Sequence, residues 1–346
     1  MTKNIDYGAI PRSKDRAKAY LFFKERVEGL FQFRGARHGD DVVRSLLLAS
    51  FNNGYVESSA ELLDVCGQTV RNHLRYQDPS RLLAANERII EEMKHLGALS
   101  KPLIVAIDWH DEMYYGDPSA EGVVGTQPKD GSHHAYRFAT LSVLVKGERL
   151  TLAVVPMLDK RVLSYVAILL CRAFEFGIKV KLLLLDRGFY CIELLRWLDS
   201  FNIKYVMQIP VRSRSIRAWE DRTYTTRSPN RGKESQATFR LVTMEEKGKL
   251  LAFATNTNIS PERIRRLFRK RWGIETSYRM VRKFLAKTTS KIYGIRLLYF
   301  YLAILLYNLW VLLNYGEGER GIAETPKFIV ALSLILSFIP DIEAMT

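Results

Sequence analysis

The sequence predicts an α/β chain: a mixed five-stranded sheet with flanking helices, a helical amino-terminal segment before it and a β-rich insertion within it. Three stretches carry that prediction. In KVKLLLLDRGFY (179–190) four leucines run without a break into Asp186. A continuous apolar run closed by a turn reads as a strand buried on both faces. KPLIVAIDWHDE (101–112) is a second such run, ending in Asp108. YRFATLSVLV and RLTLAVVPM, separated by Lys146, Gly147 and Glu148, read as a hairpin.

The remaining elements follow in order. Arg187 and Gly188 turn the chain after Asp186, and Ile192, Leu195 and Leu198 then recur at helical spacing. Leu163 to Phe176 is helical, and IKYVMQIP (203–210) is a strand closed by proline. Tyr115 to His134 reads as a polar, glycine-rich loop. From residue 102 the order is therefore strand, hairpin, helix, strand, helix, strand. No GxGxxG opens any helix, which argues against a dinucleotide fold. The order is that of a ribonuclease-H-like sheet, whose first strand lies centrally beside its fourth. Asp108 and Asp186 then end neighbouring strands, where open α/β sheets keep their ligand chemistry. The alternative for Asp186 is a cap on the following helix.

Residues 1–100 read as mostly helical. Within them, 58–77 breaks into two short helices at Gly67, the outline of a helix-turn-helix with Gln68, Thr69, Arg71, Asn72 and Arg75 available to a DNA groove. A plain packing pair of helices gives the same outline. The division is then a helical segment at 1–100, a ribonuclease-H-like domain at 101–209 and 257–346, and the β-rich insertion at 210–256. The apolar stretches 292–313 and 328–339 are expected as core helices packed on the sheet; the first carries Arg296 and Asn308, and the second is too short to span a bilayer. A membrane-associated terminus is the alternative.

The formal net charge of +15, from 52 Lys+Arg against 37 Asp+Glu, favours a polyanionic partner. The three scattered cysteines fit neither a disulfide framework nor a CxxC metal site, and no signal-peptide core opens the chain. The cysteines point to a reducing, cytoplasmic compartment, and the charge to nucleic acid or, as the alternative, an anionic membrane. The excess concentrates in PERIRRLFRKRWGIETSYRMVRKFLAKTTSKIYGIR (261–296), with twelve Lys/Arg against Glu262 and Glu275. Glu275, Arg279 and Arg282 share a helical face, with Arg271 one turn earlier.

Three carboxylates stand out: Asp108, Asp186 and Glu275. Clustered ionised carboxylates need cations to offset their repulsion. Mg²⁺, a hard ion, accepts carboxylate and phosphate oxygens together. Two ions would serve phosphodiester chemistry, with Mn²⁺ able to substitute. Asp108, His110, Asp111 and Glu112 with His133 and His134 could instead suit zinc or manganese. Asp108 and His110 share a face only if the strand continues, and no HExxH or Cys/His spacing supports that set.

IVAIDWHD, LLLLDRGFY and FRKRWGIETSYRMVRK resemble the motifs of DDE transposases from bacterial and archaeal insertion sequences, the group with a β insertion before the Glu. The second motif of that family reads D-R-G-[FY], here Asp186-Arg187-Gly188-Phe189. The third reads Y-x2-R-x3-E-x6-K. Arg271 and Glu275 match it, whereas Phe268 stands at the Tyr position and Arg282, followed by Lys283, at the Lys position.

The resemblance implies a catalytic, metal-holding triad of Asp108, Asp186 and Glu275, with Arg187, Arg271, Arg279, Arg282 and Lys283 on DNA. It implies hydrolysis of one strand at the element's terminal inverted repeat and attack of the freed 3′-hydroxyl on target DNA, by a homodimer on paired ends. It makes Trp219 a candidate to stack a flipped base. Phe268 lacks the phenolic donor. A ribonuclease-H-like nuclease without strand transfer and an inactive DNA-binding derivative are the competing readings.

Overall fold

Among the residues described by the computed structural model (30–33, 39–145, 147–211, 216–228, 235–271 and 280–315), nine strands form one sheet. They are β1 (Leu103–Tyr114), β2 (Val123–Lys129), β3 (Ser132–Val145), β4 (Glu148–Pro156), β5 (Val180–Leu185), β6 (Tyr205–Ile209), β7 (Asp221–Ser228), β8 (Ser235–Glu246) and β9 (Lys249–Thr255). Their spatial order is β2-β3-β1-β5-β6-β9-β8-β7, with β4 sharing the outer edge of β3 with β2. Val145 pairs with Glu148 across the β3–β4 hairpin, and Gly147 supplies the φ of +93° that so tight a turn requires.

The five strands read from sequence are present, and the sheet is larger for two reasons. β2 occupies part of the expected loop, held by pairs such as Val124 with Ala135. The β-rich segment does not stand apart from the sheet: β9 pairs antiparallel with β6, as in Met207 with Ala254, and carries β8 and β7 with it. β1 also runs six residues past Asp108, because its antiparallel pairing with β3 continues to Tyr114 and His134 after its pairing with β5 has stopped.

The chain divides into two compact units, residues 94–278 and residues 1–93 with 279–346. In the first, parallel β1, β5 and β6 are apolar on both faces, as strands covered by crossover helices must be. Helices α5 (Val162–Glu175) and α6 (Ile192–Ser200) make the two crossovers. A later helix, α7 (Pro261–Arg271), turns Ile264, Leu267 and Phe268 into a cluster with Ala106, Leu182, Leu184, Val206, Val242 and Phe253. Phe268 meets Phe253 edge-on at 4.6 Å. This position therefore takes an apolar ring that faces the core. The polar side of α7 keeps Arg263 and Arg266 exposed, while Arg269 donates to Glu246 of β8 at 2.9 Å and 2.7 Å.

The second unit is helical: α1 (Gly39–Asn52), α2 (Val56–Glu61), α3 (Gly67–Leu74), most of α4 (Ser80–His95) and α8 (Tyr293–Tyr315). The break at Gly67 is present; Val56, Ala60, Val70 and Leu74 are buried, whereas Leu62 is exposed. Gln68, Arg71, Asn72 and Arg75 are all exposed on α3. α8 is long and apolar enough to cross a membrane, and 89% of that window is buried inside the chain. It was expected against the sheet but belongs with the amino-terminal helices, where Asn308 donates to buried Asn86 at 2.6 Å. The stretch 328–339 lies outside the described residues.

Phe268→Ala removes a buried ring from the α7 cluster and should cost about 3–5 kcal/mol in urea unfolding. The neighbouring surface change Arg266→Ala should stay within about 0.5 kcal/mol.

Candidate active site at the end of the parallel strand pair

β1 and β5 pair in parallel up to Ile107 opposite Leu185. Asp108 and Asp186 are the next residue on each strand. Asp186 keeps extended backbone (φ −81°, ψ 164°), so the alternation of faces carries through it. Both aspartates thus stand on the face of Ala106 and Leu184, the face that α7 covers. Each carboxylate is oriented the same way: Oδ1 of Asp108 accepts from the Trp109 amide at 2.9 Å, and Oδ1 of Asp186 from the Arg187 amide at 2.8 Å. The bond at Asp186 also caps a single 3-10 turn, Arg187–Phe189, so the capping and ligand readings describe one geometry. Arg187 is exposed beside it.

Because β1 continues, Asp108, His110 and Glu112 do share a face, and His110 Nε2 contacts Glu112 Oε1. Among the described residues no three His, Cys, Asp or Glu side chains converge as a metal cage. The other face of β1 carries Trp109 and Asp111. Arg137 of β3 donates from Nε and Nη2 to the two Asp111 oxygens at 2.6 and 2.8 Å, and from Nη2 to Thr126 of β2 at 2.9 Å. Its guanidinium sits 5.0 Å from the Trp109 ring centroid. Burial pushes the Asp111 carboxyl up, but hydrogen bonds from Arg137 and Thr126 and the guanidinium charge outweigh it, leaving it below the ordinary range.

The Trp109 ring reaches across to the segment after β5, 4.6 Å from Phe189. A Cβ on Gly188 would lie 2.3 Å from the ring's Cη2. Gly188 therefore serves close approach of the indole, in addition to the turn read from sequence. Trp109, Thr126 and Arg137 were not read as site residues, and Asp111 was read only as a member of the alternative His-metal set. The alternation in DWHDEM would have placed Trp109 and Asp111 together on one face had the strand been continued past Asp108.

Trp219 is 70% exposed and takes φ +62°, a left-handed conformation costly for a bulky residue. Its turn is pinned to Thr243 of β8: the Glu220 amide donates to Thr243 Oγ1 at 2.7 Å, the Thr243 amide to the Glu220 carbonyl at 2.8 Å, and Thr243 Oγ1 to the Arg217 carbonyl at 2.6 Å. Following register from Leu185 to Met207, Ala254 and Leu241 puts Thr243 one residue beyond the level of Asp186. The Trp219 turn is thus attached at the same end of the sheet, three strands over, roughly 14 Å away at ordinary strand spacing.

Glu275 and Arg279 lie outside the described residues, as does the Arg271 side chain; α7, which ends at Arg271, leads toward them. Arg282, exposed, and Lys283 fall in the helical unit, whereas Asp108, Asp186, Arg187 and Trp219 fall in the sheet unit.

Residues 122–309 match the sequence model of a family described as "Transposase DDE domain", over more than half of the chain. The chain belongs to that family. The match spans Asp186 and Glu275 and begins after Asp108. The sheet and helices of this transposase domain also resemble a cryo-EM structure of the piggyBac transposase synaptic complex with hairpin DNA. That likeness has a TM-score of 0.52 at 13% identity, covering 99% of this chain and 76% of the other. No curated protein matches.

Asp111→Asn leaves the Arg137 charge short of its partner in a site only 16% exposed, and should cost about 3 kcal/mol at pH 7. A carboxyl depressed in the folded state contributes stability above its unfolded pKa of about 3.9 and loses it as pH falls through the folded value. Thermal melts of wild type and Asp111→Asn should therefore converge only well below pH 4.

Proposed function

We propose that this DDE-family chain is an insertion-sequence transposase that cuts DNA at element ends, Mg²⁺-dependently, and transfers the freed 3′-hydroxyl to target DNA. One observation carries the reading: two aspartates, each the residue just after the last parallel pair, open the end of a buried strand pair on the face covered by the arginine-rich helix α7. The strand order β4-β3-β1-β5-β6, antiparallel on one side of β1 and parallel on the other, supports a ribonuclease-H-like core.

The donor chemistry fits a hard divalent ion, since both side chains offer carboxylate oxygen and each is held by a backbone amide. Asp108 and Asp186, with Glu275 as third ligand, would hold two Mg²⁺ ions or Mn²⁺ in their place. Such ions supply, when bound, a more acidic attacking water or hydroxyl and charge stabilisation of the leaving oxygen. The chain's own groups do the rest. The amides of Trp109 and Arg187 fix the carboxylates in advance, so little reorganisation accompanies binding. Arg187, beside Asp186, presents its guanidinium to a phosphate oxygen. Arg263 and Arg266 would neutralise backbone phosphates, a role proposed also for Arg271, Arg279, Arg282 and Lys283. The exposed Trp219 indole offers a stacking surface to a base displaced at the cut. The solved fold relative was captured as a synaptic complex with hairpin DNA, which supports DNA as the partner; on this reading a homodimer would hold paired terminal inverted repeats, acting on DNA in the cytoplasm. Residues 1–100, with the exposed polar face of α3, would bind the element end.

With DNA carrying both element ends and Mg²⁺, Asp108→Asn, Asp186→Asn and Glu275→Gln should each reduce cleavage to background while end binding in a gel-shift assay persists. Cleavage at the wild-type rate by any of the three sinks the assignment of that residue. Cut but never joined products from the wild type would instead indicate a nuclease. Trp219→Gly should raise stability by about 1 kcal/mol by relieving the left-handed strain. It should also weaken binding to ends with an unpaired base by about 1–3 kcal/mol.

A further inference from the structure

We propose that Trp109 is a positioning residue that sets the spacing of Asp108 and Asp186 from the opposite face of the sheet. The inference rests on the metal-holding reading of the two aspartates. The β1–β5 register ends at Ile107 and Leu185, one residue short of both carboxylates. The ladder brings the two strand ends together without itself fixing the distance between the aspartates. Two carboxylates that share cations must be held against their mutual repulsion, within about 0.5 Å of the productive geometry.

Beyond the β1–β5 ladder, the indole ties the two strand ends. Trp109 follows Asp108 directly, and its ring lies on the Gly188 backbone and against Phe189, two and three residues after Asp186. Phe189 is almost wholly buried, so this contact is anchored. The ring is fixed from its other side by Arg137, and Arg137 is itself locked by Asp111 and Thr126. Thr126 closes the loop by donating to Asp111 Oδ2 at 2.7 Å. Contacts therefore run without a gap from β2 through β3 and β1 to the turn that carries Asp186. Moving Trp109 moves the peptide on which Asp108 is oriented, because that peptide's amide is the donor to its carboxylate.

The test measures Mn²⁺ binding to the full chain by electron paramagnetic resonance, with thermal melts as a folding control. Trp109→Leu, which keeps apolar bulk but loses the plane, should weaken Mn²⁺ binding about tenfold, the scale of support lost around a metal ligand. Trp109→Phe should largely rescue it. Gly188→Ala, which displaces the ring from the far side, should weaken binding in the same direction. Wild-type Mn²⁺ affinity in Trp109→Leu and Gly188→Ala, alongside loss of binding in Asp108→Asn, overturns the positioning role and leaves the metal assignment standing. Unchanged binding in Asp108→Asn overturns the metal assignment and this inference with it. Should Trp109→Leu fail to fold, Thr126→Val decides, since it loosens Arg137 without touching the ring: weaker binding supports the role, and wild-type binding ends it.

Discussion

Parallel pairing between β1 and β5 sets Ile107 opposite Leu185, and the two aspartates inherit their proximity from that register. Parallel strands are stable only when both faces are covered, which is why the residues leading to the aspartates are leucine, isoleucine, valine and alanine almost without exception. The covering is asymmetric. Crossover helices α5 and α6 follow directly from the connectivity of the strands, whereas α7 arrives later in the chain, after three more strands. It brings a basic outer side to the face on which the carboxylates stand. Acidic centre and basic surround thus come from segments about 80 residues or more apart in sequence, joined by one apolar cluster.

What could be read from sequence follows the same logic. The buried strands around LIVAI and KLLLL announce themselves because a run of apolar residues has few other uses at that length. The hairpin after Tyr136 and both crossover helices were legible for comparable reasons. β2 was not: VVGTQPK is short, polar and exposed along much of its length, and only its pairing with β3 makes it a strand. The last half of β1 was hidden likewise, since WHDEMY has no apolar run and owes its conformation to six paired positions with β3. The β-rich segment was legible as strands but not as part of the main sheet, because the β6–β9 pairing joins residues nearly fifty apart and leaves no local trace. At the site, Asp108 and Asp186 were readable from strand ends. The Arg137–Asp111 pair and the Trp109–Gly188 contact were not, being purely tertiary.

The two sides of β1 divide the labour at this site. One side carries Asp108, His110 and Glu112; the other carries Trp109 and Asp111 in a network that includes a paired charge of low exposure. A paired charge of that kind contributes little net stability compared with an apolar filling, and is often neutral or worse. Its presence behind the aspartates is better explained by geometry. A planar, bidentate Arg–carboxylate pair fixes the guanidinium orientation, and a fixed guanidinium holds the indole, which lies close against Gly188. An aliphatic cluster of equal volume would pack as well but would leave the ring free to tilt.

The turn at Trp219 presents the same trade in a different form. Left-handed backbone suits glycine or asparagine, and a 70% exposed indole gains little from burial. Both choices cost free energy that burial of the ring does not offset. Yet the turn is not loose: three hydrogen bonds tie it to Thr243, itself almost fully buried. Strain held rigidly in place is the pattern that points outward, toward something the side chain meets when the chain is at work. Register puts that turn at the same end of the sheet as the aspartates, at a distance of a few nucleotides. A flat, rigid, apolar surface there is suited to a base and poorly suited to a phosphate, which is the complement of what the arginines of α7 offer.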